Sequence, residues 1–548
     1  MVAARNTPKK KLTKEHRILA KNSLYSFMYT YGNFFFSIIS ASLIARTISP
    51  EVWQYLILTI SLVGFFNLIA SFLPPSVGLS FIYYVSQFHA LNQNAKLRSF
   101  TKNAIILRMG FLIPIFLLSI FVFTIFLEMF KINLKEYFYL FYLLSPLIII
   151  NGLQKMLINL IQALNMFKKT LILLIISNLI YIGGLLFVFL FVNSSEVGYI
   201  AIITVMSVGV PFIVSCFIVF LHFKLKIKKT EEKGESFKKC AKKIIKYGSY
   251  ISINSGLSTF SIELKTQMVG LFEIQGMVTG YHIAKRYNSV SGATISPLAH
   301  PLTISFTRLY SKEQFNQIQR LYNAIFKYSL LFFLLGTGFL FFMTDFFLYI
   351  VYGETYLIYS LLVKLSLISI IFNIQDSFLG SFFLATNRVK HLAFITLIFL
   401  PLQLALFTIG LLFFGIIGSI VFSLISHIIT LICYTIILFK FKIKLNIKKP
   451  IQIFSIFFIS LLGASILESL VLKKFYLTIL QNINLMSFQY FNPLSLGIFL
   501  LFFIILSIIL RVVTISDIET LESLISKDSF SHKIIRKSLS ISKKFLRS

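Results

Sequence analysis

An all-α polytopic membrane protein of about fourteen transmembrane helices is the fold class this sequence predicts, and three observations carry it. Of 548 residues 57% are apolar, 62 are Phe, and the mean hydropathy is +0.85, which no soluble domain of this length sustains. Apolar runs of roughly 20 residues, enough to cross about 30 Å of hydrocarbon at 1.5 Å per residue, recur down the whole chain. The 52 Lys and Arg residues concentrate on alternate segments between those runs.

Taken in order, residues 1–22 form a basic amino terminus, whose following apolar run is too long for a secretory signal and lacks a clear cleavage site. Six spans follow at 23–45, 52–73, 104–128, 137–160, 170–192 and 198–222, forming an expected amino-proximal lobe over 23–222. A basic linker occupies 223–246. The second lobe, 247–438, is expected to hold spans at 247–272, 277–307, 328–351, 357–385, 391–413 and 415–438. A helix pair at 452–472 and 494–510 and a basic tail at 511–548 complete the chain. Pro114, Pro146, Pro211, Pro297, Pro301 and Pro401 lie within spans, where each frees a backbone carbonyl and permits a bend.

With the amino terminus in the cytoplasm, 41 basic residues fall on cytoplasmic segments and five on the opposite side: Arg46, Lys131, Lys135, Lys473 and Lys474. The positive-inside rule demands this bias of an even span count with both termini cytoplasmic. The formal charge of +33 is thereby read as a topology signal resting against anionic membrane lipids, and nucleic acid is not an expected partner. Cys216, Cys240 and Cys433 are scattered, suggesting neither a disulfide framework nor a metal site.

Six cations remain inside expected spans: Arg108, Lys155, Lys265, Lys285, Arg286 and Lys364. A cation at a helix centre costs about 2.5 to 3.5 kcal/mol on insertion scales, so depth separates the cases. Arg108 and Lys155 lie within about five residues of cytoplasmic ends and are expected to snorkel to the headgroups. The other four lie roughly 10 to 13 Å deep, with Glu263 nearby and Asp376 further in. They fit a water-filled cavity facing an anionic ligand; a structural ion-pair network is the alternative. Glu263 and Lys265 are two apart on one helix, so they do not share a face and are expected to serve different surfaces.

Asn254, Ser258, Ser261 and Lys265 recur at steps of four, three and four, laying a polar stripe along the seventh span. Asn33, Ser37 and Ser40 repeat that spacing in the first span, 221 residues earlier, with Ile44 at the lysine position. Tyr31-Gly32 against Tyr247-Gly248, and Leu79–Phe81 against Ile304–Phe306, extend the echo. Because six spans precede the second copy, the repeats are parallel, and the first and seventh helices would line opposite walls of a central cavity. Close helix packing through small residues is the other reading of the serines.

The segments "NFFFSIISASLIARTISPEVWQYL", "TGYHIAKRY", "YIVYGETY", "LATNRVKHL" and "GIIGSIVFSLISHI" occur in that order along the chain. Together they resemble the polysaccharide and lipid-linked oligosaccharide flippases of the multidrug, oligosaccharidyl-lipid and polysaccharide exporter superfamily. Two departures stand out: Gln54-Tyr55 where that family commonly has Gly-Tyr, and Lys265 near a place where many members carry an acid.

The resemblance implies two lobes rocking between inward-open and outward-open states, with a lipid-linked glycan as substrate. It further implies a cell-membrane location, no cofactor, no enzymatic step, and glycan-assembly enzymes as partners of a chain expected to be monomeric. In that setting Lys265, Lys285, Arg286 and Lys364 would hold phosphate or pyrophosphate, the Asn and Ser stripes would meet sugar hydroxyls, and Glu263 is counted among the substrate-binding residues.

Three other readings remain open. A proton- or sodium-coupled multidrug exporter would want a carboxylate in its cation cavity, and the first six spans offer only Glu128. A membrane-embedded glycan polymerase or ligase would need paired acids or a metal site, whereas Glu51, Glu136, Glu196, Glu273 and Glu354 are scattered singly. A scaffold without transport would not need six intramembrane cations.

Overall fold

The computed structural model describes residues 25–72, 84–129, 139–192, 197–227, 234–292, 313–374, 378–440, 448–472 and 490–512, with short gaps inside those stretches, together with Phe306 and Tyr310. Among the described residues every regular element is helical, and eight helices are long and apolar enough to cross a bilayer. The chain is a multi-pass membrane protein.

Helix α1 covers 31–47. Helix α2, Pro50–Phe72, starts with proline at its first position, and Ser49 Oγ accepts the Val52 amide at 3.4 Å, an N-cap that holds the preceding loop to two residues. Helix α3, Asn94–Met129, begins ten residues before the expected span, because its polar first turns lie ahead of the apolar run. The expected span 137–160 is instead two helices, α4 (Tyr139–Leu144) and α5 (Leu147–Ala163). Pro146 has no N–H for the Tyr142 carbonyl, which takes the Ser145 hydroxyl at 3.0 Å.

Helices α6 (Phe167–Phe191) and α7 (Val197–Leu225) lie where expected. Pro211 leaves the Ser207 carbonyl open, and Ser177 Oγ of α6 donates to it at 2.7 Å. Exposed Leu179, Phe187, Leu190 and Phe191 on α6, and Ile213, Phe217 and Phe220 on α7, form an apolar surface suited to lipid.

Helix α8, Phe237–Phe272, extends ten residues ahead of the expected span, taking in the end of the basic linker. Helix α9 is Met277–Gly292; the remainder of the expected span to 307 lies outside the described residues apart from Phe306. Helices α10 (Phe315–Phe342) and α11 (Thr344–Val351) meet at Met343. A 3₁₀ turn, Glu354–Tyr359, leads into α12, Ser360–Ile370.

Helix α13, Val389–Lys440, is interrupted at Gly415, where φ is 66° and ψ is −163°. This is the break expected between spans 391–413 and 415–438. Gly410 and Gly418 approach across it so closely that a side chain at either would collide with the other's backbone. Helices α14 (Lys448–Leu467) and α15 (Pro493–Ile509) pack together, with Phe457 and Phe503 both against Phe499.

The chain forms two compact units. The first holds residues through Ile283, with Ile350–Tyr359 and Arg388–Phe422; α8 packs along α2 and α3 inside it. The second holds Ala284–Tyr349, Ser360–Asn387 and the chain from Ser423. Trp53, Phe100 and Phe141 are fully buried in the first unit, as are Tyr322, Phe333 and Phe457 in the second.

Candidate functional site

Glu263 and Lys265 do face different surfaces. The Glu263 carboxylate points at α2, where Oε2 accepts the Ser61 hydroxyl at 2.8 Å. Gly64 makes room for it: a Cβ there would lie 3.2 Å from the carboxylate carbon. One turn on, Gln267 Nε2 donates to the Leu58 carbonyl at 2.9 Å, and Gly270 lets Leu58 close against the backbone. Positions 263, 267 and 270 thus form the face that α8 turns to α2. Lys265 looks elsewhere, its ammonium 5.2 Å from the centre of the Phe407 ring on α13, against which Tyr281 of α9 also packs at 6.0 Å.

In the second unit, Lys285 and Arg286 are half-buried neighbours on α9. Lys364 on α12 is ion-paired: Nζ stands 2.8 Å from Asp345 Oδ2 at the start of α11, and Ser360 donates to the other carboxylate oxygen. Asp345 escaped sequence reasoning because its partner lies 19 residues away across a helix break. Asn288 Nδ2, also on α9, donates to Ser366 Oγ at 2.7 Å.

The polar stripes divide by burial. Asn33 and Ser258 are exposed, whereas Ser40 and Ser261 are buried. Ser37 and Ser40 donate to the Phe34 and Ser37 carbonyls of their own helix at 2.7 and 3.0 Å. Asn254 lies within α8, but its side chain is outside the described residues, as is Asp376.

Of the two cations expected to snorkel, Lys155 is exposed and Arg108 is not. Arg108 is 7% exposed and donates to the Ala70 carbonyl, so its expected snorkelling is corrected. The physical reason lies in α2: Ala70 would give its carbonyl to the N–H of residue 74, which is proline. That i, i+4 relation to Pro74 was the available signal.

A second constellation joins the segments around the start of α2, the start of α9 and the 3₁₀ turn before α12. Trp53, the only tryptophan in the chain, is 2% exposed. Tyr352, Tyr356 and His282 surround it at 6.1, 6.0 and 6.2 Å. Tyr356 donates to the Ile48 carbonyl at 3.2 Å, Thr279 to the Pro50 carbonyl at 2.7 Å, and Arg46 to the Ile350 carbonyl at 2.8 Å. Gln275 donates to the Tyr55 hydroxyl at 2.6 Å. Gly276 is held at both ends, its N–H by Gln54 Oε1 and its carbonyl by the Tyr359 hydroxyl at 2.9 Å. The Glu273 carboxylate takes the Ile416 amide beside the Gly415 break; burial raises its pKa, while the Ile416 and Ile274 amides oppose the rise. Four of the five quoted motifs meet in this cluster, which the sequence named without showing why.

At the other end of the first unit the basic linker is folded onto α3. Arg98 donates to the Phe223 carbonyl at 2.6 Å, Asn103 to that of Glu235 at 3.0 Å, and Ser99 Oγ accepts the Glu235 amide at 2.8 Å. Lys243 pairs with Glu235 and lies 5.1 Å over the Phe88 ring. Cys240 is buried beside them, and burial, reinforced by the Glu235 charge and opposed by Lys243, pushes its thiol up to about 12.

Residues 19–301 match the sequence profile of the family described as polysaccharide biosynthesis protein. No curated protein matches the chain in sequence. Among solved structures, the lipid II flippase MurJ in an inward closed conformation is similar at 18% identity and a TM-score of 0.61, covering 89% of this chain and 98% of that one. An inward-facing multidrug resistance MATE family transporter of the MOP superfamily gives 13% identity and 0.61, covering 73% and 92%. A MOP superfamily transporter from Pyrococcus furiosus, reported for the reverse polarity of its binding pocket, gives 12% and 0.55, covering 76% and 93%. These likenesses are of fold.

Proposed function

The chain belongs to the polysaccharide biosynthesis protein family, and from that premise we propose that it is a flippase moving a lipid-linked oligosaccharide or polysaccharide precursor across the cell membrane by alternating access. A sugar headgroup bearing phosphate would lose its water partners in about 30 Å of hydrocarbon, so it needs a protein lining that replaces them. The observation that carries the reading is that Lys265 on α8, and Lys285 and Arg286 on α9, are half-buried cations on membrane helices. They are the proposed phosphate ligands, supplying charge-assisted hydrogen bonds. Lys364, braced by Asp345, positions its helix rather than meeting the substrate. Asn33, Ser258 and the adjoining Asn254 are proposed for sugar hydroxyls. The buried Ser40 and Ser261 fit the close-packing role.

With a negative interior, outward passage of negative charge gains about 2.3 kcal/mol per charge per 100 mV, so no cofactor is invoked. The test is translocation of a labelled lipid-linked oligosaccharide in reconstituted vesicles. Lys265→Ala and Arg286→Ala should each slow it about tenfold or more, the scale of a lost hydrogen bond to a charged group of roughly 1.5–3 kcal/mol. Unchanged rates in folded variants would remove these residues from the mechanism, and proton-coupled efflux of organic cations would favour the multidrug exporter.

A further inference from the structure

Among the described residues, hydroxyl side chains mostly bond back to their own helix: Thr47, Thr59, Thr101, Thr204, Thr408 and Thr430 all donate to the carbonyl four residues earlier. The loop cluster around Trp53 breaks that habit. There, bonds donated by Arg46, Gln275, Thr279, Tyr356 and Tyr359, and the one Gln54 accepts, all cross between segments at least 83 residues apart. They converge most tightly on Gly276, a buried residue at φ 92° just ahead of α9. A Cβ at Gly276 would lie 3.1 Å from the Tyr359 hydroxyl, so glycine is what allows both side chains to grip one residue.

We propose that Gln54 and Tyr359, closing on the N–H and carbonyl of Gly276, form a releasable latch that holds this face of the first unit shut, with Trp53 as the plug it keeps in place. The proposal rests on the alternating-access reading, since only a transporter needs this face to open. The chemistry suits release. Each of the cross-segment bonds can be exchanged for water when the loops part, so the cost of opening is confined largely to exposing the Trp53 ring and its aromatic neighbours. Hydrogen bonds therefore give a closure that is specific in register yet close to balance with the open form. The Trp53 ring supplies the dry contact while the latch is closed, stacked on Tyr352 and met edge-on by Tyr356 and His282.

Because Trp53 is the only tryptophan, intrinsic fluorescence reads the latch directly. The full-length protein in lipid nanodiscs, where both faces meet solvent, would be titrated with iodide. The wild type should emit in the blue and quench weakly. Gln54→Met and Tyr359→Phe keep side-chain shape and remove one bond each. Each should raise the quenching constant several-fold with a shift to the red, and the double variant should raise it further, while helical content by circular dichroism stays unchanged. Weak, wild-type quenching in both single variants and in the double variant would overturn the latch. If Gln54→Met fails to fold, Tyr359→Phe, which lacks a single oxygen, carries the test alone. No substrate is needed, so fluorescence that responds in a protein inactive toward lipid-linked sugars would sink the flippase reading and leave the latch standing.

Discussion

Removing Lys364 alone should cost more than removing it together with Asp345. The Nζ to Oδ2 separation is 2.8 Å, which at an effective dielectric of 20 corresponds to a gross attraction of about 6 kcal/mol. Most of that is spent on desolvation and on fixing two side chains. The side chains are 26% and 35% exposed, between the surface pairs that contribute up to about 1 kcal/mol and the buried ones whose breaking costs about 3–5 kcal/mol. A net coupling of roughly 2 kcal/mol follows. In Lys364→Met the Asp345 carboxylate is left with its Ser360 partner and without its countercharge, so the single variant should unfold at lower temperature than Lys364→Met/Asp345→Asn. A double-mutant cycle on thermal unfolding in detergent measures the coupling, and vesicle transport measures the role. The double variant should keep most of its activity. Additive stabilities, or loss of transport in Lys364→Met matched by no effect of Asp345→Asn, would refute the brace and return Lys364 to the substrate.

Three further outcomes are expected. Ser177→Ala leaves the Ser207 carbonyl open beside Pro211 and should cost roughly 1–2 kcal/mol; adding Pro211→Ala restores a helical donor and should recover most of it in the same unfolding assay. Cys240, with its thiol pushed up to about 12 from 9.0, should react with a water-soluble maleimide about a thousandfold more slowly at neutral pH than an unperturbed thiol, checked by mass spectrometry of the labelled protein. Burial raises the Glu273 pKa, so its neutral form is favoured by folding; that contribution is present below the ordinary carboxylate range and is lost as pH rises through the folded value. Glu273→Gln should flatten this pH dependence and be no less stable than wild type at pH 7, a result read from unfolding midpoints across pH.

What could be read from sequence follows from where the signal is local. Spans bounded by polar loops on both sides, such as 170–192 and 198–222, came out within a few residues, and Gly415 marked the turn inside α13. Helices α3 and α8 began ten residues early, because turns that stand outside the hydrocarbon need no apolar residues to be helical. The two-residue separation of Glu263 and Lys265 told correctly that they part company, since helical geometry alone decides it.

Their partners, Ser61 and Phe407, depend on which helices pack together, and no spacing rule reaches across 202 or 142 residues. Arg108 was misjudged because depth was counted from the helix end while the demand came from another helix, at the carbonyl Pro74 leaves open. The motifs holding Trp53, Thr279 and Tyr356 were visible as words, but their convergence on one cluster is a property of the folded loops.

The central claim, that this chain carries a phosphate-bearing lipid-linked sugar across a bilayer, is tested most directly with purified wild-type protein in sealed vesicles. A fluorescent lipid-pyrophosphate oligosaccharide would be placed in one leaflet and its arrival in the other followed with a membrane-impermeant quencher. The account predicts protein-dependent translocation, faster when the membrane potential favours movement of negative charge. Rates equal to protein-free vesicles at every potential would contradict it.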